Sequence, residues 1–289
     1  MKERRNAYRR ELLRSPWAIG AMVLGSAYFV LESTLSGSWR PAAIGPLLTA
    51  LLILAVTTWI ARRRAATDFF SELAPKLGLA YSPQGSYVPM TPLLSAGDRR
   101  SFSHVMEGPL YGKLGGPYSM VSYYTYHTGE FESSEGNVPA LAPHQFTICA
   151  IDVGSPLWRF RGLYLRPRLS GLGLDHDWLR VPKRHPVELE SARFNDVYDL
   201  RRGSDQDEFA VRELFSPSFV VWLTEHPLRL GFECKGGTLV VFVRGHEGSE
   251  GKLMLLHEAA REIARRIERQ VDEGGSSGPA RPAEAASRW

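Results

Sequence analysis

PAAIGPLLTALLILAVTTWIA, residues 41–61, runs for 21 positions without a charged side chain and stops at Arg62-Arg63-Arg64. At ~1.5 Å rise per residue, a helix of that length covers the ~30 Å hydrocarbon core of a bilayer. A first apolar run, WAIGAMVLGSAYFVL at residues 17–31, precedes it. Taken from Trp17 to Trp39, with the two indoles as interfacial anchors, it gives a second span of 23 residues. Ala21 and Gly25 form a small-xxx-small pair, suited equally to close approach of a neighbouring helix and to filling lipid-facing positions.

Orientation follows from the flanking charges. Six Lys/Arg residues precede the first run, Arg62, Arg63 and Arg64 follow the second, and Arg40 alone lies between. The positive-inside rule then places both termini in the cytoplasm and a short loop, residues 33–40, outside. The expected protein is a multi-pass protein of the inner (cell) membrane whose partner is the lipid bilayer. A long charged leader, no A-x-A site and a second apolar run argue against a cleaved signal peptide.

The net charge of +4 and pI near 9.1 invite a nucleic-acid reading, which the location of the charge demotes to a poor third, so no nucleic acid is expected. Residues 1–64 hold ten Lys/Arg against three Glu, a net +7, so residues 65–289 carry −3. Binding to phosphates by bulk field needs clustered Lys and Arg, and the body of the chain is slightly acidic. Cys149 and Cys234 sit in separate apolar runs and read as buried free thiols in a reducing compartment.

Past the arginines, Thr67-Asp68 is expected to cap a helix with Phe69, Phe70, Leu73 and Leu77 on one side, ended or kinked at Pro75. Residues 79–83 close that helix, and 84–100 are irregular with one short helical turn. Residues 101–114, 117–127, 144–152 and 157–168 are aromatic and β-branched runs separated by Gly/Pro/Ser punctuation, an antiparallel meander. Phe146, Ile148 and Ala150 share one face of the third run, with Thr147 and Cys149 on the other, a pattern for partial burial on both sides. Residues 168–186 read as loop and 187–200 as a strand broken near Ala192.

Asp205-Gln206-Asp207-Glu208 opens a helix to about Leu214, its carboxylates where a helix N-terminus favours negative charge, and Ser216-Pro217 opens another to about His226. Leu228, Leu230, Phe232 and Cys234 alternate with Arg229, Gly231 and Glu233; Gly236-Gly237 turns the chain; Leu239, Val241 and Val243 alternate on the return, a hairpin signature. A final amphipathic helix covers about 250–271, with Leu253, Leu256, Ala260, Ile263 and Ile267 in its stripe. The expected organisation is a basic leader (1–16), a two-helix transmembrane hairpin (17–61), a cytoplasmic α+β domain (65–271) with a mainly antiparallel sheet and a long C-terminal helix, and a disordered tail (272–289).

Motifs for chemistry are incomplete. His257-Glu258-Ala259-Ala260-Arg261 begins like the helical zinc motif H-E-x-x-H, but the second imidazole is an arginine, so it reads as a surface helix. Gly274-Gly275-Ser276-Ser277-Gly278 matches G-x-S-x-G without the strand and helix that would present the serine. Asp175-His176-Asp177 sets an imidazole between two carboxylates in a loop, short of the three or four ligands a metal needs. Tyr118, Tyr123, Tyr124 and Tyr126 read as sheet packing ahead of a ligand groove. No phosphate-cradling glycine motif occurs, and no cofactor or metal is expected.

In order, the hairpin, a helix ending LGLAYSP, GDRRSFSHVMEG at 97–108, ARFNDVYDLRRGSDQDEFAVRELFSPSFVVWL at 192–223 and a closing G-G-T-L hairpin resemble a domain-of-unknown-function family of small bacterial membrane proteins. The resemblance implies the architecture and a bacterial membrane location. It supplies no site residues, and Phe194, Asn195, Tyr198, Phe209 and Trp222 match as fold determinants.

The leading expectation is a membrane-anchored, non-enzymatic module that binds a protein or small ligand at the inner membrane surface. The alternatives are an enzyme whose site is assembled from distant residues, with His104, His127, Asp175 and His176 the groups to test, and a structural subunit of a membrane assembly. The last would expose a large apolar patch on the sheet or the C-terminal helix.

Overall fold

The computed structural model describes residues 2–37, 40–85, 91–97, 99–112, 117–127, 143–154, 159–168 and 184–275. They form two compact units, Met1–Lys76 and Leu77–Trp289.

The first unit is built from helices α1 (Lys2–Leu13), α2 (Pro16–Ser36) and α3 (Arg40–Lys76). Pro16 stands at the start of α2, where its missing N–H costs nothing, and Gly37 ends the helix in the left-handed conformation, φ +64°. The apolar stretch at 41–61 is helical throughout, inside α3. Helices α2 and α3 run antiparallel through glycine contacts. A Cβ on Gly25 would lie 2.5 Å from Thr49 Cγ2, and one on Gly45 only 2.0 Å from the Phe29 ring. Gly25 therefore faces the neighbouring helix, the first of the two roles open to the Ala21/Gly25 pair.

Helix α1 continues the same antiparallel course. Arg4 forms a two-pronged ion pair with Glu72 at 2.7 and 2.6 Å, and Tyr8 OH donates to Asp68. The facing positions 4/72 and 8/68 share one register, and 25/49 and 29/45 share another two residues, or about 3 Å, away, which sets Trp17 within one turn of the level of Trp59 and Arg14 near that of Arg62.

One expectation is corrected here. Thr67-Asp68 does not begin a helix, because α3 is continuous over 37 residues, about 55 Å. Nothing between Arg62 and Glu72 breaks it, and the Asp68 side chain takes the Tyr8 hydroxyl. Pro75 falls in the last turn, where it ends the helix without kinking it. Trp39 lies outside the described residues. Among the described residues, one helical segment, Pro16–Leu35, is long and apolar enough to cross a membrane. Its side chains point outward: Leu24 is 73% exposed and Leu35 80%, while Ala18 on the inner side is buried. The described part of α3 repeats this pattern, with Leu47, Leu48, Leu51, Leu52 and Trp59 exposed and Ile53, Thr57 and Ala61 buried.

The second unit is α+β. Its strands are β1 (Ala80–Gly85), β2 (Arg99–Pro109), β3 (Tyr118–His127), β4 (His144–Asp152), β5 (Leu163–Pro167), β6 (Arg184–Pro186), β7 (Tyr198–Gly203), β8 (Gly231–Lys235) and β9 (Thr238–Arg244). They make one antiparallel sheet in the order β1-β2-β3-β4-β9-β8-β5-β7-β6. The helices are α4 (Pro92–Ser95), α5 (Ala192–Val197), α6 (Glu208–Leu214), α7 (Pro217–Glu225) and α8 (Glu250–Gly275).

The β8–β9 hairpin has the expected two-residue turn: Lys235 pairs with Thr238, and Gly236 and Gly237 both have positive φ, 59° and 84°. Residues 79–83 do not close a helix. They lead into β1, which tolerates Pro83 because it is an edge strand. Residues 187–200 are not one broken strand either. Ser191 Oγ accepts from Phe194 N–H to cap α5, Asn195 ties back to both backbone groups of Leu189, and β7 starts only at Tyr198. The short strand β6 falls in a stretch read as loop. Helix α8 runs on to Gly275, so residues 272–275 are helical; the rest of the expected tail lies outside the described residues.

Both sheet faces are buried. One carries Met120, Tyr124, Tyr126, Phe146, Ile148, Ala150, Val240 and Phe242 under Leu93 and Leu94 of α4. The other carries Val121, Cys149, Ile151, Val241 and Phe232. On that side the Phe215 and Phe219 rings meet Phe232, Arg266 of α8 lies over Phe219, and the α8 stripe Leu253, Leu256, Ala260, Ile263 and Ile267 is buried.

Candidate functional site

Strand alternation turns Glu233 away from Phe232 and Cys234, onto the face that α4 covers. It is 0% exposed. One carboxylate oxygen accepts from the Leu93 backbone N–H at 2.8 Å, and the other from Arg166 Nη2 at 3.0 Å. Tyr164 pairs directly with Glu233, and Arg166 stands two residues further along β5 on the same side. The Arg184 guanidinium, from the end strand β6, lies 4.0 Å from the centre of the Tyr164 ring. Arg201 and Asp199 form an ion pair at 2.8 Å on the strand between.

Burial pulls the Arg166 pKa down, with the Glu233 charge pulling it back up, and the same two influences in the same order act on Arg184. A guanidinium stays charged in either case. Both bonds to Glu233 are charge-assisted, which makes the carboxylate a strong tie. Tyr124 OH donates to the Leu93 and Leu94 carbonyls at 3.0 and 3.2 Å, so α4 is held to the sheet from both ends of its peptide dipoles. Arg184 differs. Its Nε and Nη2 are buried and have no acceptor among the described residues. Chemically it is the group here best suited to take an oxygen of an anionic ligand.

A second polar cluster lies on the opposite face. The register of β2 against β3 shifts between Ser103 and Met106, and His104 sits in that bulge with φ +54°. Its Nδ1 is 3.0 Å from Tyr81 OH, and its ring meets the edge of Tyr123 at 5.8 Å. Tyr123 stacks on His246 at 4.3 Å and donates its hydroxyl to the Glu247 carbonyl. Thr147 Oγ1 donates to the Gly245 carbonyl and accepts from Glu247 N–H, each at 2.8 Å. These contacts fix the segment between β9 and α8. Burial lowers the His246 pKa and, with the Glu247 charge, raises that of Tyr123.

Of the four residues put forward from the sequence, His104 thus belongs to an aromatic ladder. His127 ends β3 opposite Arg99, four positions beyond Tyr123 or about 13 Å along the strand, so the two histidines do not converge. Asp175 and His176 lie outside the described residues. Glu233, Arg166 and His246 were missed. The only signal for Glu233 was an acid on a hairpin whose other positions are apolar or small.

His257 corrects the surface reading of the His257–Arg261 run. It is 3% exposed, its Nε2 has no partner among the described residues, and burial followed by the Arg261 charge pushes its pKa down to about 4. It is a neutral core imidazole. Cys149 and Cys234 are free and buried; desolvation pushes the Cys149 thiol up to about 12 and raises that of Cys234, which makes both unreactive. Among the described residues no three His, Cys, Asp or Glu side chains are grouped to hold a metal. Among the described residues of the second unit the large exposed apolar side chains are Tyr118, Phe209 and Val221.

Fold and site together define an α+β unit with a large antiparallel sheet, in a chain that also carries a helical unit with an outward apolar surface. No family model matches the chain, and no curated protein matches it. A solved structure, the mycobacterial trehalose monomycolate transport factor A, TtfA, aligns over 76% of this chain and 99% of its own at 12% identity and a TM-score of 0.42. A likeness of that size settles neither fold family nor function.

Proposed function

We propose that the chain is a membrane-anchored binding module, in which α2 and the first part of α3 cross the bilayer as a hairpin and hold the α+β unit at the cytoplasmic face. The observation that carries this is the outward belt of Leu, Val, Ile and Trp on two antiparallel helices that meet through small residues, Gly25 against Thr49 and Gly45 under the Phe29 ring. Water penalises such a surface, whereas lipid favours it and leaves small residues to pack the helices. Thr34, Thr49 and Thr57 return their hydroxyls to carbonyls of their own helices, as a medium without water requires. The contacts of α1 with residues 68 and 72 favour an even number of crossings, since they bring the leader and the end of α3 to the same side.

The α+β unit, in this account, recognises a protein or small ligand through the Arg184 end of the sheet. Two experiments test the two halves. Alkaline carbonate should leave the full-length chain in the membrane pellet, and release into the supernatant would refute the anchor. Photo-crosslinking from position 186, exposed on the same strand as Arg184, should give a discrete adduct in intact cells that R184Q abolishes. Unchanged labelling in R184Q would refute this site.

A further inference from the structure

Six arginines of the helical unit, Arg9, Arg10, Arg14, Arg62, Arg63 and Arg64, are exposed and have no acidic partner among the described residues. The acids of α3 are engaged further along the helix: Asp68 takes Tyr8, and Glu72 takes Arg4. The guanidiniums nearest the apolar belt are therefore the ones left unneutralised. Their depth is set by the helix register. Trp17 and Trp59 stand within about one turn of each other at the end of the belt, Arg63 lies 5.7 Å from the Trp59 ring, and Arg14 falls near the level of Arg62. Indoles favour the interface, and the polar headgroup layer beyond it is about 5–8 Å thick. Arg14, Arg62, Arg63 and Arg64 fall in that layer, with Arg9 and Arg10 about one turn further out. Successive residues on a helix are about 100° apart, so Arg62, Arg63 and Arg64 fan over about 200° of the α3 circumference. Such an arrangement does not grip one ion from a single direction; it meets whatever headgroups surround the helix.

Resting on the hairpin reading above, we infer that this collar selects anionic phospholipids, whose headgroup phosphates it contacts, as the first shell of lipid around the protein. A guanidinium recognises a phosphate through parallel N–H donors, so it adds hydrogen bonding to the attraction an ammonium would give.

The test is reconstitution of the full-length chain into phosphatidylcholine vesicles containing a minority of phosphatidylglycerol, with spin-labelled versions of each lipid reporting the motionally restricted shell. Phosphatidylglycerol should be enriched in that shell by about fivefold, the factor expected for one surface contact to a basic side chain. The enrichment should fall steeply as salt rises. R62Q/R63Q/R64Q should bring it close to parity, whereas R62K/R63K/R64K should retain most of it. Equal restriction of the two lipids by the unmodified chain, or undiminished preference in the glutamine variant, would overturn the inference. A restricted shell of either lipid would still uphold the hairpin; its complete absence would instead refute the hairpin itself. Reconstitution from detergent avoids any effect of the substitutions on insertion in the cell.

Discussion

The two units use the same apolar residue types in opposite directions. In Met1–Lys76 the large side chains Leu24, Leu35 and Leu52 face out, and Gly25, Gly45 and Ala18 face the neighbouring helix. In Leu77–Trp289 Phe160, Phe194, Phe219 and Phe232 are fully buried, and even a carboxylate, Glu233, is enclosed. Burying apolar surface stabilises a fold only where the surroundings are water. On the reading proposed above, the inversion matches the two halves of one chain to different solvents, and charge is handled differently too: Glu233 is buried and tied to Arg166 in the sheet, while the arginines at the end of the apolar belt are exposed.

The largest effect should come from the enclosed carboxylate. E233A strands the Arg166 charge in a dry site and should destabilise the α+β unit by about 3–5 kcal/mol in denaturant unfolding of the detergent-solubilised chain. R166M/E233M, which removes both charges, should recover most of that loss. Next, I263A on the buried stripe of α8 should cost about 2–5 kcal/mol. L52A on the exposed face of α3 should stay within about 0.5 kcal/mol, and equal losses at the two positions would erase the contrast between the units.

His257 gives a pH-dependent version. Its native pKa of about 4 lies below the unfolded value, so the unfolded chain binds more protons between those limits. Its contribution is complete above about pH 6.5 and is lost as pH falls towards 4, by up to about 3 kcal/mol. H257L should remove that part of the acid slope from the unfolding midpoint. The helix pair offers a separate test. G25L should weaken it by about 1–3 kcal/mol. That loss should be visible as less disulfide crosslinking between cysteines placed at positions 21 and 53.

What the sequence made legible was local. The Gly236-Gly237 turn, the stripe of α8, the acidic run Asp205–Glu208 that opens α6 and the Ser216-Pro217 start of α7 are each encoded within a few residues, and each stands where it was expected. The errors fell where distant contacts decide. Thr67-Asp68 has the composition of a cap, but Asp68 is taken by a tyrosine sixty residues away. Residues 187–200 alternate like a strand, yet Ser191 and Asn195 divert the backbone into a turn of helix. Glu233 and His257 carry polar side chains at positions that alternation or motif logic assigns to water; what encloses Glu233 arrives from α4, 140 residues earlier. The candidate site was less legible still, since the Arg166–Glu233 tie joins strands 67 residues apart.

On the proposed reading, α2 and α3 cross a bilayer and return. Single cysteines at Leu35, Ser249 and Asn6, in a chain lacking Cys149 and Cys234, test it with a membrane-impermeant maleimide on intact cells. The account predicts labelling at position 35 from outside, and labelling at 6 and 249 only after lysis. Labelling at 249 in intact cells, or protection of 35 until lysis, would contradict it.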